Sequence, residues 1–513
     1  MLLYNLLNQV FGRDEMKNPV KFFFSREESD TKVANNRLLS YAAGLTGQNI
    51  SYNFISQRLF VFLNTVLNIP AEKTGLITGI STLWDAINDP LVGTLIDARK
   101  FKPGNKLRPL IIYTSPIIGI LTALMFFNFQ LSVTASIFLI LVLYLVYDII
   151  YSVQDVAMWG LLPLSSPSSK ERARVSQWVT IGAGLGGSIG GLFPSIRSIL
   201  VDKAGISEQN AYFLGALCFG FGGMILSMLA YRMREKVNYV QEKKVSVWDS
   251  LKSLKYNRTL IIICLARILG SVSFMLPWEY FFETDGVSYN LFGMNLSGGT
   301  MQVVYGLIPG IPGALLLFCA TRFAEKVGGM KRLLILAEVS QIICRIIAFF
   351  IGANDRFLNP GNLVAIWVLV ALYSIPVGMK DVAHRSLLSD SIDEVELKTG
   401  ERTEGITFSM QNFVSKLCNA ISKFIQGYIL KFLRFENIKG LDGSALIRAQ
   451  SKNSPFFRYR WHQFMLGPVI GSSLYLITIL FLKDDRAHMA EVELLLKEKR
   501  SELENSEVAV AAE

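Results

Sequence analysis

Apolar runs organise this chain. Stretches of about 20 residues, each long enough to cross a hydrocarbon core about 30 Å thick, recur along its length. Twelve are read, at 39–64, 74–97, 109–129, 135–161, 176–200, 211–231, 259–283, 297–320, 332–352, 362–387, 406–431 and 464–482, the first being the least hydrophobic. A polar stretch at 233–258 divides them six and six. The expected fold is therefore an all-α membrane protein of twelve transmembrane helices in two six-helix bundles, 39–232 and 259–483. A segment at 1–38 precedes them and a solvated helical tail at 484–513 follows. The halves echo each other: DARKFKPGNKLRP follows the second run and RFAEKVGGMKR the eighth, while KERAR follows the fourth and KTGERTEG the tenth. Related halves of this size are the construction of secondary transporters.

Composition agrees with that pattern. The 513 residues are 51% hydrophobic and 18% charged, with a mean hydropathy of +0.37. Soluble domains carry about 25% charged residues. The net charge of +10 does not point to nucleic acid, because the basic residues fall between the runs, mostly in alternate links. By the positive-inside rule both termini lie in the cytoplasm and the chain belongs to a cell membrane. One link disagrees: 432–463 carries several basic residues, among them Lys439, Arg448 and Arg460. Substrate attraction and an ordinary solvated loop both account for it. MLLYNLLNQV is too short and too polar for a cleavable signal peptide. There is no phosphate-cradling loop, nucleophile–base pair or metal-ligand spacing, so neither an enzyme, an ATP-driven pump nor a bound cofactor is expected. The five cysteines and the glycines of GAGLGGSIGG (182–191) read as packing residues.

The chemistry starts in the second run, at WDAINDPLVG. Asp85 and Asp89 are one helical turn apart on one face. Each carboxylate near mid-bilayer costs about 2.5–3.5 kcal/mol even on the lenient insertion scale. Asn88 adds an amide oxygen, and Pro90 cannot bond the carbonyl of Ala86. Such a turn offers oxygens to a small monovalent cation; the other reading is a structural pair satisfied by a buried Lys or Arg. In the fourth run Ser152, Asp155 and Trp159 form one stripe. A ring beside a carboxylate suits a sugar, whose C–H faces stack while its hydroxyls bond, and it suits core packing as well. Lys416 falls near the middle of the eleventh run. Three converging carboxylates cannot all ionise unaided. Lys416 and one cation would balance Asp85, Asp89 and Asp155, and a proton could replace the cation, so the coupling ion is Na⁺ or H⁺. Other charges lie within runs: Arg58, Arg267, Glu279, Arg345, Lys380, Asp381, His384 and Arg385. Lys380 or Arg267 facing a cavity would admit an acidic sugar; otherwise Lys380 and Asp381 satisfy neighbouring helices and His384 is structural.

WDAINDPLVG, YSVQDVAMW, KERAR and DSIDEVELKTGERTEGITFSMQNFVSK together resemble the glycoside–pentoside–hexuronide:cation symporters of the major facilitator superfamily, over roughly 39–483. The resemblance implies that Asp85, Asp89, Ser152 and Asp155, with Asn88 beside them, hold the coupling cation. It also implies that Asp155 and Trp159 touch sugar and that Lys416 lies near both sites. Where the family's best-known member has a helix 1 aspartate and a helix 5 arginine, this chain has Asn49 (beside Gln48) and Thr180 (near Gln177). Those four amide and hydroxyl residues complete the expected substrate set. Asp97, Arg99, Asp390, Asp393, Arg402 and Glu404 are expected as ion pairs that close the cytoplasmic side, or as ordinary solvated loop charge. The function these features imply is cation-coupled symport of a sugar, glycoside or oligosaccharide by alternating access. Its partners would be that solute, a monovalent cation and the lipid bilayer. A cation-coupled lysophospholipid carrier and a non-transporting membrane sensor are the alternatives.

Overall fold

The computed structural model describes residues 28–29, 32–98, 107–236, 257–284, 289–291, 293–316, 320–399, 404–482 and 495. Helical segments lie on all twelve expected stretches. In chain order they are α1 (Asn35–Val61, continued by a π-turn at Phe62–Val66), α2 (Ala71–Ala98), α3 (Arg108–Met125), α4 (Val133–Leu164), α5 (Ser169–Gly190), α6 (Phe193–Ser198), α7 (Glu208–Gly215) and α8 (Gly222–Ser227). Then come α9 (Arg258–Gly270), α10 (Glu279–Phe282), α11 (Gly298–Leu316), α12 (Ala320–Val327), α13 (Met330–Gly352) and α14 (Pro360–Gly378). The last are α15 (Lys380–Thr399), α16 (Glu404–Phe432), α17 (Gly443–Arg448) and α18 (Pro455–Leu480). Seven helical stretches among the described residues are long and apolar enough to cross a membrane on their own. A small antiparallel hairpin, β1 (Tyr289–Leu291) and β2 (Met294–Leu296), pairs Tyr289 with Leu296.

Several helices begin where the sequence supplies a cap. Ser132 accepts the backbone N–H of Ala135 at the start of α4, and Ser454 that of Phe457 at the start of α18. Each satisfies one of the donors that a helix start leaves without a partner.

By contacts the described chain divides into two compact units. One holds residues up to Ile69 and from Ile87 to 236; the other holds Pro70–Ala86 and everything from 257 onward. In the first unit α1 and α5 approach closely because glycines face the contact. A Cβ on Gly182 would lie 2.3 Å from the carbonyl oxygen of Ala42, and one on Gly186 2.4 Å from that of Thr46. Thr46 Oγ1 spans the same contact to the carbonyl of Gly182 at 2.9 Å. Tyr41, Leu45, Ile111, Met158 and Val175 fill the core beside it.

In the second unit two expected helices are interrupted. The 259–283 run is not one continuous helix: α9 stops at Gly270 and helix resumes only at Glu279. Pro277 removes a donor from the intervening stretch. Neighbours take its carbonyls: Gln463 Nε2 donates to Phe274 at 2.7 Å and Ser422 Oγ to Ser271 at 3.3 Å. Gly471 of α18 admits the Gly270 carbonyl, which would lie 2.3 Å from a Cβ there. The 362–387 run is likewise divided at Met379, three residues after Pro376. The basic stretch after α16 is more than a solvated loop. Arg448 Nη2 meets Glu283 Oε2 at 3.0 Å and Arg460 Nη2 meets Asp355 Oδ1 at 2.6 Å. Glu283 and Arg460 are both buried.

Candidate functional site

The first unit assembles a polar chain between α2 and α4. Ser152, buried, donates its hydroxyl proton to Asp89 Oδ1 at 2.7 Å and accepts from Asn88 Nδ2 at 3.0 Å. Asn88 Nδ2 also reaches Asp148 Oδ2 at 3.3 Å. Asp148 is 3% exposed and Asn88 4%. Two carboxylates are thus joined through one hydroxyl and one amide inside helices of membrane-spanning length. Asp148 was not among the expected residues. The signal for it was present: Asp148, Ser152 and Asp155 stand at i, i+4 and i+7, which is one helix stripe.

Asp155 takes a different donor, Gln48 Nε2 of α1, at 3.0 Å. In the second unit Asp85 Oδ1 is ion-paired with Lys416 Nζ at 2.8 Å, and the same ammonium donates to the Asp85 carbonyl at 3.3 Å. The described residues contain no group of three or more His, Cys, Asp or Glu placed to hold a metal ion. Asp89 thus takes Ser152, Asp155 takes Gln48 and Asp85 takes Lys416. Like charges in a poorly screened interior repel, and each of these carboxylates has its own donor. For Asp85 that donor is the lysine that a structural pairing would require.

The expected substrate residues fall into two groups. Gln48 is buried and engaged with Asp155. Asn49 bonds back to the carbonyl of Leu45, and Thr180 to that of Ser176, so both hydroxyl and amide serve their own helices. Gln177 and Trp159 are exposed. Beside Gln48 and Ser152 lies an aromatic stack the sequence reading passed over. Tyr52 and Tyr151 have centroids 5.4 Å apart with planes at 22°, and Tyr151 continues to Tyr147 at 5.6 Å and 18°. Tyr52 is 40% exposed, so the stack has an open face.

Of the expected gating charges, Asp97, Asp390, Asp393 and Glu404 sit on α2, α15 and α16, whereas Arg99 and Arg402 lie outside the described residues. Charges within the runs are mostly partnered. Arg58 reaches Gln57 at 3.1 Å, and Arg345 donates to the Phe464 carbonyl at 3.2 Å and faces the Tyr373 ring. Lys380 pairs with Glu338 of the neighbouring α13. His384 bonds the Tyr475 hydroxyl, in keeping with a structural histidine.

Apolar helices in two units, with buried carboxylates on a membrane-length helix, define a multi-pass membrane carrier of the major facilitator fold. The chain belongs to the MFS/sugar transport protein family, whose model matches residues 40–481. It is 25% identical to an isoprimeverose transporter of Lactiplantibacillus pentosus, over 87% of this chain and 88% of that one. It is 25% identical to a putative sulfoquinovose importer of Escherichia coli, over 76% and 80%. Its fold is similar to that of a bacterial homologue of the human lysosomal transporter Spinster, with a TM-score of 0.58 at 14% identity over 87% and 96% of the two chains.

Proposed function

We propose that this protein carries a sugar or glycoside across the cell membrane by alternating access, coupled to the movement of Na⁺ or H⁺, with both termini cytoplasmic. One observation carries the coupling: the Asp89–Ser152–Asn88–Asp148 chain, two carboxylates with neutral oxygens between them. Carboxylates and hydroxyl oxygens are the ligands that hard monovalent cations take, and a proton can substitute at either carboxylate. Asp155, on the same helix as Asp148 and Ser152, accepts from Gln48 of α1, the helix that carries Tyr52 of the tyrosine stack, while Tyr147, Tyr151 and Trp159 stand on α4 itself. Sugar rings would stack on that aromatic face while their hydroxyls bond Asp155, Asn49, Gln177 and Thr180. Lys416 acts as the resident counter-charge of Asp85.

The test is uptake of labelled isoprimeverose and related glycosides into proteoliposomes under an imposed Na⁺ or pH gradient. Asp89→Asn and Ser152→Ala should each lower gradient-driven uptake at least tenfold while preserving sugar exchange without a gradient. Unaltered gradient dependence in both variants rules out coupling at this chain.

A second reading has an observation of its own. The second unit carries an apolar groove of about 620 Å³ lined by Phe274, Phe424, Tyr428, Phe432, Leu466 and Ile470, which suits an acyl chain. Cation-driven uptake of a labelled lysophospholipid, with no glycoside carried, would replace sugar by an amphiphile.

A further inference from the structure

The second unit holds an open pocket of about 530 Å³, with several charged and polar side chains in its lining, that the carboxylate chain of the first unit does not use. Arg267, Glu338, Lys380 and Asp381 line it, with His384 and Tyr475. Two of the four charges are settled. Lys380 is bonded to Glu338, which is 1% exposed, and its ammonium lies 4.4 Å from the centre of the Tyr475 ring. The other two are not. Among the described residues the side chains of Arg267 and Asp381 make no hydrogen bond and no ion pair.

An arginine within a membrane helix costs about 2.5–3.5 kcal/mol on the lenient insertion scale, and its five donors form a rigid fork matched to oxyanions. Its position adds a second indication. Arg267 stands three residues before the end of α9, where the chain unwinds through 271–277, and Gly270, Ser271 and Ser273 of that break line the same cavity. Interrupted membrane helices are where carriers expose backbone and side-chain polar groups to solutes. The volume lies within the range of small-molecule sites.

We infer that this cavity is a substrate subsite for a singly charged oxyanion, carboxylate or sulfonate, on a polyhydroxylated carbon skeleton. Arg267 forks the oxyanion. Asp381, an acceptor, and the Asn419 amide, which lines the same pocket, take hydroxyls. Glu338 is taken by Lys380, so Arg267 is the cation left to meet the oxyanion, and with Asp381 as the wall's second carboxylate a dianion is disfavoured. The inference rests on the sugar-carrier reading and deepens it.

The experiment measures binding to the purified full-length protein in Na⁺ of four probes: glucuronate, sulfoquinovose, glucose and glucosamine. At least one anion should bind tenfold or more tighter than glucose; whichever anion wins identifies the headgroup, and equal binding assigns both. Arg267→Gln should remove that preference, and Arg267→Lys should retain part of it, with the Na⁺-induced melting shift unchanged in both as a check on folding. Equal binding of glucose, preference for glucosamine, or an Arg267→Gln protein that still prefers the anion overturns the subsite. If neutral glycosides are carried under a cation gradient while anions are ignored, the carrier reading stands and this inference alone falls. If no sugar of either kind binds or is carried, both fall.

Discussion

Asp148 and Asp89 share one intermediary, the Ser152–Asn88 pair, and neither can change charge without affecting the other's hydrogen bonds. Asp148→Asn is therefore expected to lose cation-stimulated uptake to the same degree as Asp89→Asn, at least tenfold; a Na⁺ titration of each variant by melting temperature checks it. Under the proposed coupling a proton and Na⁺ would compete for the same oxygens, so the apparent Kd for Na⁺ should rise as pH falls. Lys416 offers a complementary case. Lys416→Ala leaves Asp85 without its ammonium, and breaking a fully buried pair costs about 3–5 kcal/mol. These side chains are 24% and 16% exposed, so the loss should be smaller, and Asp85→Ala added to it should restore part of the melting temperature. Much of this was legible: Asp85 and Asp89 stand out because hydropathy makes a carboxylate conspicuous in an apolar run. Which donor each acid takes was not. Lys416, Gln48 and Ser152 are apportioned by helix rotation, and spacing along one helix carries no information about its neighbour.

Helices locate themselves by apolar length, but their contacts depend on small residues. The glycines of α5 show this at two positions that differ by two residues. Gly186 would drive a Cβ to 2.4 Å from the Thr46 carbonyl, whereas a Cβ at Gly184 meets nothing within 4 Å. Overpacking typically costs about 1–3 kcal/mol, and a backbone neighbour cannot yield as a side chain can. Gly186→Leu should thus abolish recovery of monodisperse protein in detergent while Gly184→Leu is tolerated, a contrast that size-exclusion chromatography reads directly. The sequence marked GAGLGGSIGG as a packing segment without separating these positions. It also missed the gap between α9 and α10. VSFML is as apolar as any helix, and Pro277 was the main sign that the stretch would open.

For the whole molecule, coupling means that two ligands share one free-energy surface. If cation raises sugar affinity by some factor, sugar must raise cation affinity by the same factor. Isothermal titration of each ligand in the presence and absence of the other should give two ratios that agree; a cation that leaves sugar affinity unchanged would place coupling outside the binding step. The twelve-run pattern anticipated where helices lie. It could not foresee that the first part of α2 is grouped by its contacts with the later half of the chain. Grouping of that kind follows from which faces meet, not from order in sequence. The stretch after α16 has a last consequence. Secured through Arg448 and Arg460 to acids brought by two other segments, it contributes to its unit's cohesion by mooring distant parts of the chain. Shortening it would cut both ties and take from Glu283, which is buried, the arginine that meets it.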